Sequence, residues 1–270
     1  TAAYDAVIHQ AAIASYLAEL ARADDGDAIG ERAQVDEAFL SIDLPPEMVE
    51  ELDTAFAQVA GDSGRVAVRS SATAEDLHGG SFAGQYASFL NVERDELARV
   101  VRLVWASLWH PSPRWYRAVH DISDESIAMA VIVMPMIEAD LAGVGFSVDP
   151  DAPAARRIEV VRGLGDQLVS GEVTPEVHQV PRSDPLVGLD ADVRRVVELL
   201  DAIEDAFGEA QDIEWALCGG ELYVLQARPI TTAVALDGDG FDSAHRGATW
   251  TTAGIAEMLP GQLAPLVWTT

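Results

Sequence analysis

Residues 211–231 read QDIEWALCGGELYVLQARPIT. Two apolar-rich runs, residues 212–218 and 222–228, flank Gly219-Gly220, which is the signal of a β-hairpin. A two-residue turn sets Glu214 opposite Leu225 and scatters the polar groups over both faces. A three-residue loop, Gly219-Gly220-Glu221, pairs Glu214 with Gln226 and Asp212 with Arg228. Such loops commonly place a glycine in the left-handed position of a bulge. In that register Ile213, Trp215, Leu217, Tyr223, Leu225 and Ala227 share a packing face. Asp212, Glu214, Gln226 and Arg228 then stand together on the other face, at the open end. Strand side chains alternate strictly, so a slip of one residue would bury this polar set. The three-residue loop is the expected one.

A carboxylate and an amide carbonyl are hard oxygen donors, suited to Mg²⁺ that keeps its other positions for water and phosphate. Arg228 can fork onto phosphate oxygens with a charge that burial does not remove. The plainer alternative is a cross-strand Asp212–Arg228 ion pair with Glu214 and Gln226 solvated, since exposed pairs are common.

A second stretch, residues 66–92 (VAVRSSATAEDLHGGSFAGQYASFLNV), tilts the choice towards nucleotide phosphate. Val66-Ala67-Val68 is a short β-type run that delivers Arg69. Thr73 with Asp76 has the form of a capping box opening a short helix. Residues 79–84 (GGSFAG) follow, a loop whose backbone N–H groups can approach phosphate oxygens, and residues 86–92 resume as a strand. A flexible turn would account for the glycines alone.

These motifs, Val-Arg-Ser-Ser-Ala-Thr-x-Glu-Asp, Ser-Phe-Ala-Gly-Gln, Asp-Ile-Glu-Trp and Gln-Ala-Arg-Pro, resemble the ATP-binding domain of dikinases. That family includes phosphoenolpyruvate synthase, pyruvate phosphate dikinase and rifampicin phosphotransferase. The resemblance runs over residues 1–232 and implies an α+β, two-lobed ATP-grasp domain lacking its first segment. It also implies ATP and Mg²⁺ as cofactors. Arg69 and Arg228 match the family's phosphate arginines, and both are the catalytic candidates. Gly84 and Ser88 match its nucleotide-loop contacts, and Glu214 and Gln226 its metal ligands. Asp212 sits where the family also has an acid and joins them as a metal candidate. Residues 128–137 (AMAVIVMPMI) read as a buried strand and correspond to the adenine segment. Met134 stands there in place of the usual Gln, and Pro135, Met136 and Ile137 complete the ring contacts. Residues 161–175 resemble the family's Gly-Leu-Gly-Glu stretch, with Asp166 for Glu and with Gly163, Gly165 and Gly171 serving turns.

Two family elements are not matched. The phosphate-binding lysine of a Gly-Gly-Lys motif has no counterpart, as the chain contains no lysine. Ser243-Ala244-His245 does not match the Thr-x-Ser-His of the swivelling phosphohistidine domain. The expectation is a piece of a longer enzyme whose partners are that domain and a substrate domain. Residues 233–270 read as a linker. Glu257, Pro260, Gly261, Pro265, Leu266 and Trp268 resemble the connector of the rifampicin-phosphotransferase-like branch.

With 270 residues and 49% hydrophobic content, the chain can bury a large core. Its net charge of −28 argues against nucleic acid and anionic membrane as partners. A single cysteine, Cys218, excludes an internal disulfide and fits the cytoplasm. Apolar spacing predicts helices over residues 3–21, 47–59, 93–109 and 192–207, with Trp105 in the core, and a strand over 143–148. The six histidines show no metal-ligand spacing. The function expected is the ATP-binding part of a dikinase-type phosphotransferase. ATP goes to AMP and Pi, and the β-phosphoryl group passes through a histidine to an acceptor such as pyruvate or a rifamycin. An ATP-grasp ligase releasing ADP and a non-catalytic nucleotide-binding domain are the alternatives, separable by product analysis.

Overall fold

Apolar spacing near the start of the chain suggests one long helix, but the computed structural model contains two, α1 (Ala2–Ile8) and α2 (Ala11–Leu20). Val7 and Ile13 are both buried. Six helical residues turn the direction of a side chain by about 240°, so one unbroken helix cannot aim both at the core. The break at His9-Gln10 realigns the second stretch. The structure describes residues 2–20, 28–73, 86–119, 121–124, 127–169, 173–183 and 185–230. The expected linker, the capping-box Asp76, Gly84, Gly171, His78 and His245 lie outside them.

The chain forms two compact units, one ending at Met136 and the other beginning at Ile137. In the first, α3 (Ala28–Leu40) was not anticipated; it buries Val35 and Phe39, a sparse apolar stripe. α4 (Pro46–Val59) carries Pro at its first position, where no N–H partner is lost. β1 (Val66–Ala72) runs past its apolar start because Ser70 and Ser71 still find ladder partners. It lies between β2 (Phe89–Val92) and β3 (Met129–Pro135), antiparallel to both. α5 (Leu97–Ser107) and α4 pack on this sheet, with Trp105 only 3% exposed in the core. α6 (Pro111–Val119) was also missed. Its Arg117 is buried over the Trp109 ring and bonds Asp124 Oδ1 at 2.7 Å and the Leu108 carbonyl at 2.6 Å.

Register sorts the three strands into two faces. Val66, Val68, Met129, Val131 and Val133 join the helices in the core. Ala67, Arg69 and Ser71 take the opposite face with Met134, Ile132 and Ala130, their respective partners on β3. The expectation that residues 128–137 form a buried strand is therefore corrected. β3 is an edge strand covered on one face, and Ile132 is 47% exposed on the other.

The second unit is a five-stranded antiparallel sheet. Its strands are β4 (Leu141–Phe146), β5 (Ala155–Arg162), β6 (Glu176–Pro181), β7 (Gln211–Cys218) and β8 (Glu221–Pro229), in the order β6-β5-β4-β7-β8. β4 ends at Phe146, earlier than its apolar run; Ser147 still donates its backbone N–H to the Gln211 carbonyl at 2.9 Å, but the Gln211 N–H is taken by the Ser147 hydroxyl, also at 2.9 Å, in place of a backbone acceptor. The short α7 (Asp166–Val169) follows Gly163, whose φ of +80° suits a glycine turn. α8 (Ala191–Phe207) is capped by Asp190, which accepts from the N–H groups of Asp192 and Val193, and ends at left-handed Gly208.

α8 covers one face of the sheet, burying Val193, Val196, Val197 and Leu200 against Ile158, Ile213, Trp215 and Leu217. Two forks hold it there. Arg156 bonds both oxygens of Asp201 at 2.6 and 2.8 Å, and Arg182 bonds both of Glu204 at 3.0 Å. In the middle strand, Gly143 leaves room for the Trp215 ring. A Cβ there would stand 1.8 Å from the Glu159 carbonyl oxygen and 2.8 Å from Trp215 Cζ2. The other face of the sheet carries a small apolar cluster, Ala142, Val144, Phe146, Val161, Leu168 and Ala216, and the polar groups Asp212, Glu214, Gln226 and Arg228.

Candidate nucleotide and metal site

The β7–β8 hairpin turns in two residues, not the three expected. Cys218 pairs with Glu221, and Gly219 and Gly220 both have positive φ (57° and 83°), as the favoured two-residue hairpin turn requires. Read alone, that turn would put Glu214 opposite Leu225. The ladder instead shifts between Glu214 and Trp215, where Leu225 forms a bulge on β8. Beyond the bulge Glu214 pairs with Gln226, Ile213 with Ala227, and Asp212 with Arg228, as the sequence predicts. The packing faces change accordingly. Leu222, not Tyr223, packs against the α8 side, and Leu225 joins the opposite cluster.

Asp212, Glu214, Gln226 and Arg228 thus share one face at the open end of the hairpin. Arg228 donates from Nε and Nη2 to Asp212 Oδ2, at 2.8 and 2.6 Å. The plainer alternative of a cross-strand pair is present, but it is not an exposed one, since Asp212 is 7% accessible. Burial pushes the Asp212 carboxyl above the ordinary carboxylate range, Arg228 pulls it back, and the nearby charges of Glu214 and Glu159 push it up again.

Glu159 was missed in the sequence, and the sheet register is what brings it in. One row across the sheet reads Val177, Glu159, Val144, Glu214, Gln226; the next reads Gln179, Arg157, Phe146, Asp212, Arg228. Glu159 is 3% exposed, and its Oε1 accepts from Arg157 Nε at 2.8 Å. Gln179 donates to the buried Asp149 at 2.6 Å. Arg157 and Glu159 do alternate within RRIEVVR, but Arg156 and Arg162 are charged as well, so no local signal set Glu159 apart.

Arg69 and Met134 belong to the first unit, on the same face of its sheet, with Ile132 directly opposite Arg69. Ser88 is exposed just before β2. Pro135 ends β3, Met136 is buried, and Ile137 opens the second unit against the Val144 cluster. Among the described residues no group of three or more His, Cys, Asp or Glu could hold a metal ion. His110 bonds Asp36 at 2.8 Å and His178 pairs with Glu176, so these two histidines serve the fold. No described helix is long and apolar enough to cross a membrane.

The family described as pyruvate phosphate dikinase, AMP/ATP-binding domain, matches residues 1–188 and 177–239. Among curated relatives, a probable phosphoenolpyruvate synthase of Archaeoglobus fulgidus is 36% identical over 202 residues, covering 62% of this chain and 27% of its own length. Rifampicin phosphotransferase of Streptomyces sviceus is 31% identical over 305 residues, covering 98% of this chain and 35% of its own length. Phosphoenolpyruvate synthase of Pyrococcus furiosus is 31% identical over 259 residues, with 77% and 32% covered. The chain spans about a third of the length of these relatives.

Proposed function

Because the chain belongs to the pyruvate phosphate dikinase AMP/ATP-binding domain family, we propose that it binds ATP and, in the whole protein, supplies the nucleotide half of a dikinase-type phosphotransfer. ATP goes to AMP and Pi, and the β-phosphoryl group passes through a histidine of a swivelling domain to an acceptor held elsewhere. What supports this reading is the edge formed by β7 and β8, where a carboxylate, an amide and a guanidinium face the same way.

Glu214 and Gln226 offer one carboxylate and one amide oxygen to a cation. That fits Mg²⁺, which keeps waters and takes its remaining ligands from phosphates. Without a set of three or more protein ligands among the described residues, an ion arriving with the nucleotide suits this edge better than a resident one. When bound, the ion supplies charge neutralisation and alignment of the phosphates. Asp212 fixes the guanidinium plane of Arg228 through Oδ2, leaving Oδ1 as the oxygen nearer to a cation role. Arg228, so oriented, presents its remaining N–H donors to phosphate. Arg69 is the second phosphate arginine, Gly84 and Ser88 contact the nucleotide, and Met134, Pro135, Met136 and Ile137 enclose the adenine. Arginines placed against developing charge lower the barrier without reorganising.

The rifampicin-phosphotransferase-like branch is favoured, since the Streptomyces sviceus relative aligns over 98% of the chain, against 62–77% for the two phosphoenolpyruvate synthases. The test is product analysis of the full-length protein by phosphorus NMR. AMP with Pi is expected, and Glu214→Ala is expected to lower Mg²⁺-dependent AMP formation by about 100-fold or more with the fold intact. ADP as sole nucleotide product would overturn the reaction class, and unchanged AMP formation in Glu214→Ala would overturn the metal assignment.

A further inference from the structure

The polar face of the second sheet holds more charge than a two-ligand Mg²⁺ edge requires. Two ion pairs share this face with Glu214: Arg157–Glu159 on β5, with Glu159 in the row of Glu214, and Arg228–Asp212 on β7 and β8, in the adjacent row with Arg157. Glu159 is 3% exposed and Arg157 has 16% of its side chain accessible. Burying such a pair is costly: well-packed apolar residues of similar volume are often more stabilising. Here the pair lies among Val144, Phe146 and Val161, where apolar side chains would pack without that cost. Stability alone therefore does not account for a carboxylate at this place.

We propose that Glu159 is a positioning residue of the metal–nucleotide site, acting by its field on the cation held at Glu214 and Gln226. This rests on the reading of that edge given above. Glu159 and Glu214 occupy one row, separated by Val144 alone, so their backbones stand about 10 Å apart, two strand spacings. Arg157 pairs with Glu159 and Arg228 with Asp212, so neutralising Glu159 alone would leave the Arg157 charge facing this edge and change the local balance by one unit. Arg157 donates from Nε to Glu159 Oε1 at 2.8 Å and so aims the carboxylate within the sheet face, while Asp151 at 3.4 Å holds the other side of the guanidinium. At about 10 Å, a unit charge acting on a divalent ion at intermediate dielectric corresponds to roughly five- to twentyfold in affinity.

The test uses Mn²⁺ as a spectroscopic probe on the full-length protein, with metal-free ATP binding measured in parallel by calorimetry. Glu159→Gln keeps an acceptor for Arg157 and removes the charge. Mn²⁺ binding is expected to weaken by about five- to twentyfold, and metal-free ATP, an anion, to bind more tightly. Arg157→Gln should shift both affinities in the opposite directions, so either variant suffices if the other fails to fold. A purely structural role would weaken both ligands together, and that result overturns the proposal, as does a change of less than twofold in each. Glu214→Gln separates the two levels. If it abolishes Mn²⁺ binding while Glu159→Gln changes nothing, only the role of Glu159 falls. If Glu214→Gln leaves Mn²⁺ binding intact, the metal assignment falls with it.

Discussion

Gly143→Ala puts one methyl group where the second sheet has no room for it. The added Cβ would meet the Glu159 carbonyl oxygen at 1.8 Å and Trp215 Cζ2 at 2.8 Å, whereas ordinary contact begins near 3.4 Å. One obstacle is backbone in the adjacent strand, and the other belongs to a tryptophan only 1% exposed. Neither can swing aside as a flexible chain end would. Overpacking of this kind costs about 1–3 kcal/mol, and a ladder bond lost as β5 retreats adds about 1 kcal/mol. Relief of glycine's conformational freedom returns up to about 1 kcal/mol. The net expectation is a loss of about 3 kcal/mol, or roughly 6–12 °C in the unfolding midpoint. Gly145→Ala is the internal control. Its Cβ would meet side-chain ends only, Ile213 Cγ1 at 3.3 Å, Ile158 Cδ1 at 3.5 Å and Leu200 Cδ2 at 3.6 Å. That substitution should stay within about 1 kcal/mol of the parent. Urea denaturation followed by circular dichroism gives the difference, and hydrogen exchange should show lost protection at the amides around Val160. Equal losses for the two variants, or a larger one for Gly145→Ala, would refute the packing argument.

Two further outcomes follow from buried charges. Arg156→Met removes the fork onto Asp201, whose side chain keeps 36% of its surface accessible, and the bond to the Pro181 carbonyl at 3.2 Å, costing about 2 kcal/mol in urea denaturation, whereas Arg156→Met with Asp201→Leu should recover most of it. No recovery in the double variant would mean that the fork is not the cause. Burial holds the His110 imidazole below its ordinary pKa despite Asp36, so the unfolded chain takes up this proton first as pH falls. Its contribution to stability is full above about pH 6.5 and declines as pH falls towards the depressed folded value. His110→Gln should flatten the pH dependence of stability below pH 6.5, and an unaltered slope would show that His110 is not the group responsible.

Much of the β7–β8 edge was legible because it depends on alternation, a local property of one hairpin. The pairings of Asp212 with Arg228 and Glu214 with Gln226 followed from requiring the polar groups to share a face. The turn itself was misjudged, because composition does not say whether an odd residue sits at the tip or within a strand. Glu159 and Arg157 were beyond reach for a different reason. Their place beside Glu214 depends on the β4–β5 and β4–β7 registers between distant segments, which no local pattern specifies. Helical periodicity located α5 and α8 well, their stripes being dense. It failed at α3, where among the described side chains Val35 and Phe39 are the fully buried ones. The half-exposed Ile132 shows the limit of hydropathy: an apolar run at a sheet edge looks like an interior strand.

The bulge at Leu225 uncouples the tip of the hairpin from its working end. Even-numbered extensions of the Gly219-Gly220 turn leave the phase of Gln226 and Arg228 untouched, since side chains alternate with period two and the offset at Leu225 stays in place. Excising Leu225 alone would invert that phase, turning both ligand-bearing side chains towards α8 while every residue of the tip stayed in place. A single surplus residue thereby acts as the frame-setting element of the edge, and related chains should tolerate sequence drift at the tip far more readily than any change in length across this position.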